Sequence, residues 1–246
     1  MLKRINERTW KQLAALDNDS VRLVLPISSL EQHATHLPIG TDDFISTIGM
    51  DSILENPALK PDFWLLPAIH YGISFEHMGF TGTFSLSPAT LIAIVEDILN
   101  CMRVHGWKTL VLINSHGGNQ GVLRGMAQTW RYRFGVKIYY IELLNSARAC
   151  FKNLLNLPSE RDGHAGEAET SVLMCGKPNV VDLEAWEQQA DMTNPLPNYL
   201  ESWMTAELSA TGLLGGASLA SPEKGEKLIA AMGSSLIQIL DSIAHA

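Results

Sequence analysis

The sequence predicts an α/β fold of three layers, with a mainly parallel sheet covered by helices on both faces. Two observations carry that reading: four short apolar runs that look like buried strands, and helical patterns that alternate with them. A third is size, since 246 residues, 46% of them hydrophobic, suffice for one large core. The expected unit is a single domain over 1–246.

The first helical pattern covers 9–16, and the first strand, VRLVLPI, covers 21–27. A helix over 43–54 precedes the second strand at 63–69. The helix over 87–105 has the clearest punctuation: Ser87 caps it, Pro88 sits where a missing N–H costs nothing, and Gly106 ends it. TLVLIN at 109–114 is the third strand, 120–134 a helix, 136–141 the fourth strand, and 222–243 the C-terminal helix. The stretch 191–216, richer in Pro, Asn, Gly and Thr, reads as an extended loop or subunit-contact region.

A formal charge of −8 argues against nucleic acid or anionic lipid as partner, because both need surplus Lys and Arg, and a small neutral or cationic ligand fits better. Cys101, Cys150 and Cys175 are odd in number and show no CxxC spacing, so they read as reduced thiols in a cytoplasmic protein. The N-terminus lacks the apolar run of a signal peptide. No later segment is expected to span a bilayer.

In open α/β sheets ligands collect at the carboxyl ends of strands, so the residues after each strand matter most. After 21–27 comes SSLEQHATHLPIGTDD, where Glu31 and His33, two apart, point the same way if extended, and Asp42 follows a loop later. Carboxylate, imidazole and carboxylate together suit zinc or manganese, and an aspartate can bridge two ions. The competing reading makes Glu31 and Asp42 solvated loop acids and His33 and His36 surface residues. After 109–114 comes SHGGNQG, which puts His116 at the sheet edge as a ligand, with Gly117 and Gly118 exposing backbone N–H groups to a substrate. The alternative for the glycines is a tight strand-to-helix turn, and both readings can hold together.

The last cluster is DGHAGEAETS, with His164, Glu167 and Glu169 before a helical run. If it is helical throughout, 164 and 167 share a face and 169 lies elsewhere; spacing does not choose between the glutamates. Both also suit a helix N-terminus as dipole-compensating acids.

Together these segments resemble the creatininase (creatinine amidohydrolase) family over nearly the whole chain. The resemblance rests on LPISSLEQHATHLPIGTD, EHMGFTGTFSLSPATL, VLINSHGGN, HAGEAETS and GLLGGASLASPEKGEKL, in that order. It implies an α/β sandwich, a homo-oligomer, commonly a hexamer, and two divalent ions per subunit, zinc or manganese with iron as an alternative. Asp42 would be shared, Glu31 and His116 would complete one site, and His33 would belong to the other. Creatinine-hydrolysing relatives carry HYEN where this chain has 116–119, and that glutamate binds the second metal. Gly118 has no side chain to offer, so the family pattern points to Glu169, with Glu167 in reserve.

Those relatives also place tryptophans before the HAGE-like motif, whereas 144–162 here contains none, which argues against creatinine as substrate. Trp64, Trp107, Trp130 and Trp186 read as packing residues. His77, in FEHMGF, falls in a family segment near the active site and is expected to bind substrate or to make structural hydrogen bonds. His70, His105 and His245 receive no role.

The resulting expectation is a two-metal hydrolase that cleaves a non-peptide C–N bond, in a cyclic amide or a formamide. Metal coordination lowers the pKa of water from ~15.7 to roughly 7, which supplies hydroxide. His164 would shuttle a proton to the leaving nitrogen, and Glu167 is the second catalytic candidate. Two alternatives stand beside it: hydrolytic C–C opening of a cyclic ketone such as an inosose, and a non-catalytic metal-binding oligomer, which Gly118 favours. Nucleotide binding is disfavoured because SHGGNQG lacks GxGxxG and a GKS or GKT sequence.

Overall fold

Strands β1 (Leu2–Arg4), β2 (Arg22–Ile27), β3 (Phe63–Leu65), β4 (Thr109–Asn114) and β5 (Lys137–Glu142) form one all-parallel sheet in the order β1-β3-β2-β4-β5. The computed structural model describes residues 1–54, 56–59, 63–147, 154–188, 190–192 and 202–245. The six helices that matter here are α1 (Trp10–Ala14), α2 (Thr41–Asp51), α3 (Pro88–His105), α4 (Gln120–Phe134), α5 (Glu167–Gly176) and α6 (Pro222–Ala244).

Strand side chains alternate between two apolar layers. Val24, Val111 and Ile113 pack with residues of α2, α5 and α6, while Leu23, Leu25, Leu110 and Leu112 pack with residues of α3 and α4. Both faces of the central strands are therefore covered, which is why β2 and β4 read as continuous apolar runs rather than alternating ones. Truncating a buried leucine such as Leu112 to alanine is expected to cost about 2–5 kcal/mol.

Register positions the site. β2 and β4 pair from Arg22↔Thr109 to Ile27↔Asn114, and β5 continues the line with Asn114↔Glu142. Three strands thus end level, and the segments after β2 and β4 emerge side by side at one edge.

Several expectations need correction. β1 was not anticipated: three residues, two of them cationic, carry no periodicity, yet Leu2 is fully buried and pairs with Phe63. The second run is a strand only to Leu65; Pro67 offers no N–H to a ladder, and contact resumes as an isolated Ile27↔Ile69 bridge. Helix α2 begins at Thr41, so Asp42 lies in its first turn and not in a loop.

The expectation that no segment could span a bilayer also fails on length and composition, since Pro222–Ala244 meets both. Its packing explains its apolarity: Leu228, Met232, Leu236 and Leu240 recur at helical spacing and are fully buried in the layer shared with α5. Of the 191–216 stretch, 193–201 lies outside the described residues. The remainder includes a short helix, Thr205–Leu208, and buried Leu213, so that part packs onto the body of the fold. Cys101 and Cys175 are free thiols, and Cys150 lies outside the described residues.

Candidate metal centre

The segment after β2 folds back so that its carboxylates and imidazoles face the end of β4. Glu31 N–H donates to Ile39 O, Leu37 N–H to His33 O, and Ala34 takes a left-handed φ of 58° to make the turn. Helix α2 then delivers Asp42 from its first turn, where the helix dipole favours an anion. Asn119 ties the neighbouring segments together: its Oδ1 accepts from Ile73 N, and its Nδ2 donates to Ser28 O and Asn114 Oδ1.

The result is a cluster sealed from solvent. Glu31 and His33 are each 1% exposed, Asp42 is 2% and His116 is 5%. His116 Nδ1 lies 3.2 Å from Glu31 Oε1 and 3.1 Å from Asp42 Oδ2. His33 Nε2 lies 3.6 Å from Asp42 Oδ1 and 3.8 Å from Glu169 Oε2. Asp42 therefore turns one oxygen to each imidazole. His77 Nε2 and His164 Nδ1 approach the same Glu31 Oε1 at 3.5 and 3.7 Å.

Backbone carbonyls fix which nitrogen of each ring faces inward. His33 Nδ1 is 3.1 Å from Glu31 O, and His116 Nε2 is 2.7 Å from Ile73 O; protons there leave lone pairs on His33 Nε2 and His116 Nδ1, directed at carboxylates. Lone pair against carboxylate is repulsive unless a cation or a proton lies between. Glu31 Oε2 and His33 Nε2, both buried, find no hydrogen-bond partner among the described residues. Such groups are costly to bury unless something cationic completes them, and Glu31–Asp42–His116 and His33–His164–Glu169 each present ligand atoms within 4.8 Å of one another.

Without ions, protons carry that burden. Burial works against a charged His33, but the carboxylates of Asp42, Glu169 and Glu31 around it lift it to about 9. His116 is raised well above its usual range, against the burial penalty, by Glu31 and Asp42. The two imidazoles in turn hold Asp42 far below the ordinary carboxylate range despite its burial. Glu169 moves the other way: burial, opposed by His33 and reinforced by Asp42, pushes it up to about 7. His77 falls to about 4, chiefly through burial, with Glu31 opposing and His33 reinforcing the shift. Burial, with the charges of His33 and His77, takes His164 well below its usual value.

The structure does not bring Glu167 into this cluster. Residues 167 and 169 are separated by about 200° around a helix, and Glu167 faces the body of the fold. It pairs there with Lys224 and accepts from Asn156 N and Leu157 N at 2.7 and 3.3 Å. His164 is not helical, as the shared-face reading assumed. It forms an antiparallel bridge with Leu214, and Ala165 takes φ 55° before α5 starts.

Gly118 does not leave a hole for a missing ligand. A Cβ there would stand 2.1 Å from Ile73 O, 2.6 Å from His116 Nε2 and 2.7 Å from Glu76 Oε1, so the close approach of backbone and Glu76 requires glycine. A Cβ at Gly117 would meet nothing within 4 Å among the described residues. Gly117, His116, Glu142 and Glu169 help line an open cavity of about 790 Å³ beside the cluster.

Sequence reasoning missed Gln32, Glu76 and Asn119, whose parts depend on contacts with distant segments. It also left His36 open as a surface residue. That ring is buried, with Nε2 2.9 Å from Thr170 Oγ1, and burial followed by the charge of His33 lowers it to about 4. His70 is exposed and bonds Asp43 at 2.6 Å, outside the cluster.

The family model described as creatininase, creatinine amidohydrolase, matches residues 6–240. A mycofactocin precursor peptide peptidase of Mycobacterium tuberculosis is 32% identical over 229 residues, spanning 88% of this chain and 83% of that one. A creatinine amidohydrolase of Pseudomonas putida is 29% identical over 246 residues, spanning 92% and 91%. Among solved structures, a mutant creatininase complexed with creatine aligns over 99% of both chains with a TM-score of 0.81 and 25% identity. A manganese creatininase and a Zn–Zn mutant form align at TM-scores of 0.78 and 0.79, with 25% and 26% identity over 97% of each chain.

Proposed function

This chain belongs to the creatininase family and is a hydrolase of amidohydrolase type, and on that premise we propose that it uses two divalent ions about Asp42 to cleave a non-peptide C–N bond, in a cyclic amide or a formamide. The observation that carries the proposal is the division of Asp42: Oδ2 faces His116 at 3.1 Å and Oδ1 faces His33 at 3.6 Å. Glu31, Asp42 and His116 would hold one ion, and His33, Asp42 and Glu169 the other. Manganese and zinc are the preferred metals, following the forms of the structural relatives. The same reading makes the protein a cytoplasmic homo-oligomer acting on a small molecule, and the −8 charge supports the absence of a nucleic-acid or anionic-membrane partner.

Bound ions of this kind supply Lewis acidity and a water whose pKa falls from ~15.7 to roughly 7. The chain's own residues do the rest. His164, neutral and with Nδ1 facing the cluster, accepts a proton from the attacking water and returns it to the leaving nitrogen. His77 directs Nε2 to the same place and orients the substrate's oxygen. Gly117, which lines the cavity, would let substrate approach the backbone beside His116, whereas the side-chain face of Gly118 is closed by Ile73 and Glu76. Glu167 is better supported as the buried counter-ion of Lys224 that holds 156–157 in the cavity wall than as a catalytic carboxylate.

A second reading, an amide within a peptide, draws on the relative named as a peptidase and on cavity size. Ligand pockets of about 300–1,000 Å³ hold drug-sized molecules, and about 790 Å³ exceeds the needs of a small ring. Turnover of a lactam, a formamide, a short peptide and an inosose by manganese- or zinc-loaded protein separates the readings. Activity on the inosose alone would overturn C–N cleavage, and one ion or none per chain would overturn the two-metal arrangement.

A further inference from the structure

We propose that Gln32 is a positioning residue that sets the tautomers of His77 and His164, so that one ring offers a donor and the other an acceptor to the same point beside Glu31. The hydrolase reading gives this arrangement its purpose, but the hydrogen-bond argument stands without it. The two rings lie face to face, with centroids 4.1 Å apart and planes 28° from parallel. Each turns one nitrogen to Glu31 Oε1 and the other to Gln32.

The amide of Gln32 has one orientation that satisfies its surroundings. Ala34 N–H donates to Oε1 at 2.8 Å, so Nε2 is the end that faces the rings. From there Nε2 lies 2.7 Å from His77 Nδ1, 3.0 Å from His164 Nε2 and 3.3 Å from Gly212 O; its two hydrogens go to His77 and Gly212, because His164 Nε2 has a nearer carbonyl to bond. A hydrogen on His77 Nδ1 would set donor against donor at 2.7 Å, so the His77 proton belongs on Nε2, aimed at Glu31. The Thr205 hydroxyl, 2.9 Å from the same Nδ1, can rotate to donate and does not oppose this.

His164 is set by the backbone of the same residue. Its Nε2 lies 2.7 Å from Gln32 O and 3.0 Å from Gln32 Nε2; a lone pair there would oppose the carbonyl at the shorter contact, so Nε2 donates to Gln32 O, and Nδ1 is a bare lone pair facing Glu31. Both rings therefore carry hydrogen on Nε2 but meet Glu31 with different nitrogens, His77 with Nε2 and His164 with Nδ1. His77 presents N–H, suited to an oxygen that gains charge during hydrolysis, and His164 presents a base. The same assignment bars His77 from the third cation-capable group, Glu31–His77–His164, because the nitrogen it would offer is protonated.

The fold accepts backbone strain to keep Gln32 in place. Ala34, whose N–H anchors Oε1, takes a left-handed φ of 58°, uncommon outside glycine. Gly212, whose carbonyl takes the second hydrogen, has φ 85°, and a Cβ there would stand 2.0 Å from Gln32 Oε1.

Histidine-selective nitrogen-15 labelling of metal-free protein, read by two-bond proton–nitrogen correlation, reports the tautomer of each ring directly. The wild type should show both rings as Nε2–H, and a predominant Nδ1–H form of His77 overturns the proposal. Gln32→Glu replaces the donor with an acceptor of nearly equal size and should convert His77 to mostly Nδ1–H. Retention of Nε2–H in that variant would show that Gln32 is not the determinant. Thr205→Val should leave both tautomers as in the wild type, and a switch there would transfer the role to Thr205. The wild-type and Thr205→Val spectra decide the matter even if Gln32→Glu does not fold. None of these spectra depends on turnover, so a failed activity panel would remove the hydrolase reading without touching the tautomer result.

Discussion

The two halves of the candidate centre share Asp42 and differ in almost everything else. The Glu31–His116 half is tight, with contacts of 3.1–3.2 Å between His116 and the carboxylates of Glu31 and Asp42 and with both side chains nearly inaccessible. The His33–Glu169 half is looser, at 3.6–3.8 Å, and the Glu169 side chain is 15% exposed beside the cavity. The first half is built from segments anchored at the level ends of β2 and β4, whereas the second borrows Glu169 from α5, far along the chain. A closed half suits an ion that stays. An open half suits an ion that exchanges and that meets the substrate.

Removing the shared group tests the comparison most severely. Asp42→Ala should empty both halves and lower turnover by about 10³-fold or more, in the range typical of essential active-site groups. Metal analysis by plasma mass spectrometry alongside kcat is the measurement; a variant that kept both ions would show that Asp42 bridges nothing. Glu169→Gln should separate the halves, leaving one tightly held ion and reducing turnover by about 10²-fold. Loss of both ions together would mean that the halves are not independent.

Acidity distinguishes the halves in a second way. In metal-free protein His33 keeps its proton up to about 9, because Asp42 and Glu169 outweigh the cost of burial, and Glu169 keeps its own up to about 7. An ion entering the open half must displace these protons. Affinity there should therefore rise with pH, by roughly tenfold per unit for each proton released, and level off above pH 9. Calorimetry with manganese in buffers of different ionisation enthalpy counts the protons. Affinity that fell between pH 6 and 9 would contradict the assigned ligands.

Much of this arrangement was legible in the amino-acid order, and what was not has a common cause. The apolar runs of β2 and β4 announced themselves because both faces of each strand are covered. EQH and SHGG stood out because they follow those strands directly. β1 escaped notice because three residues hold no period, and its place in the sheet comes from pairing with β3 across some sixty residues. Gln32 escaped because its partners His77 and His164 lie 45 and 132 positions away, and nothing local distinguishes its amide from a surface one. Spacing alone does not choose between Glu167 and Glu169, for a similar reason, and only the family pattern favours Glu169. The choice depends on where α5 begins, and that is set by the bridge between His164 and Leu214.

Those two glutamates give the mildest test of function and the clearest contrast in energetics. Both lie in the first turn of α5, yet Glu169 faces His33 while Glu167 is fully buried against Lys224 and two backbone N–H groups. Glu167→Gln would leave the Lys224 ammonium, which also donates to Asn156 and Leu219, without its carboxylate partner. Lys224 is 24% exposed and keeps its other acceptors, so loss of the charged partner costs about 1–3 kcal/mol, and the denaturant midpoint should fall. Ion content should remain as in the wild type, and kcat at low temperature should change by less than about threefold, because Glu167 touches neither half of the centre. The loss of an ion in Glu167→Gln, with stability intact, would move this residue from the wall of the cavity into the centre and reverse the division of labour between the two carboxylates.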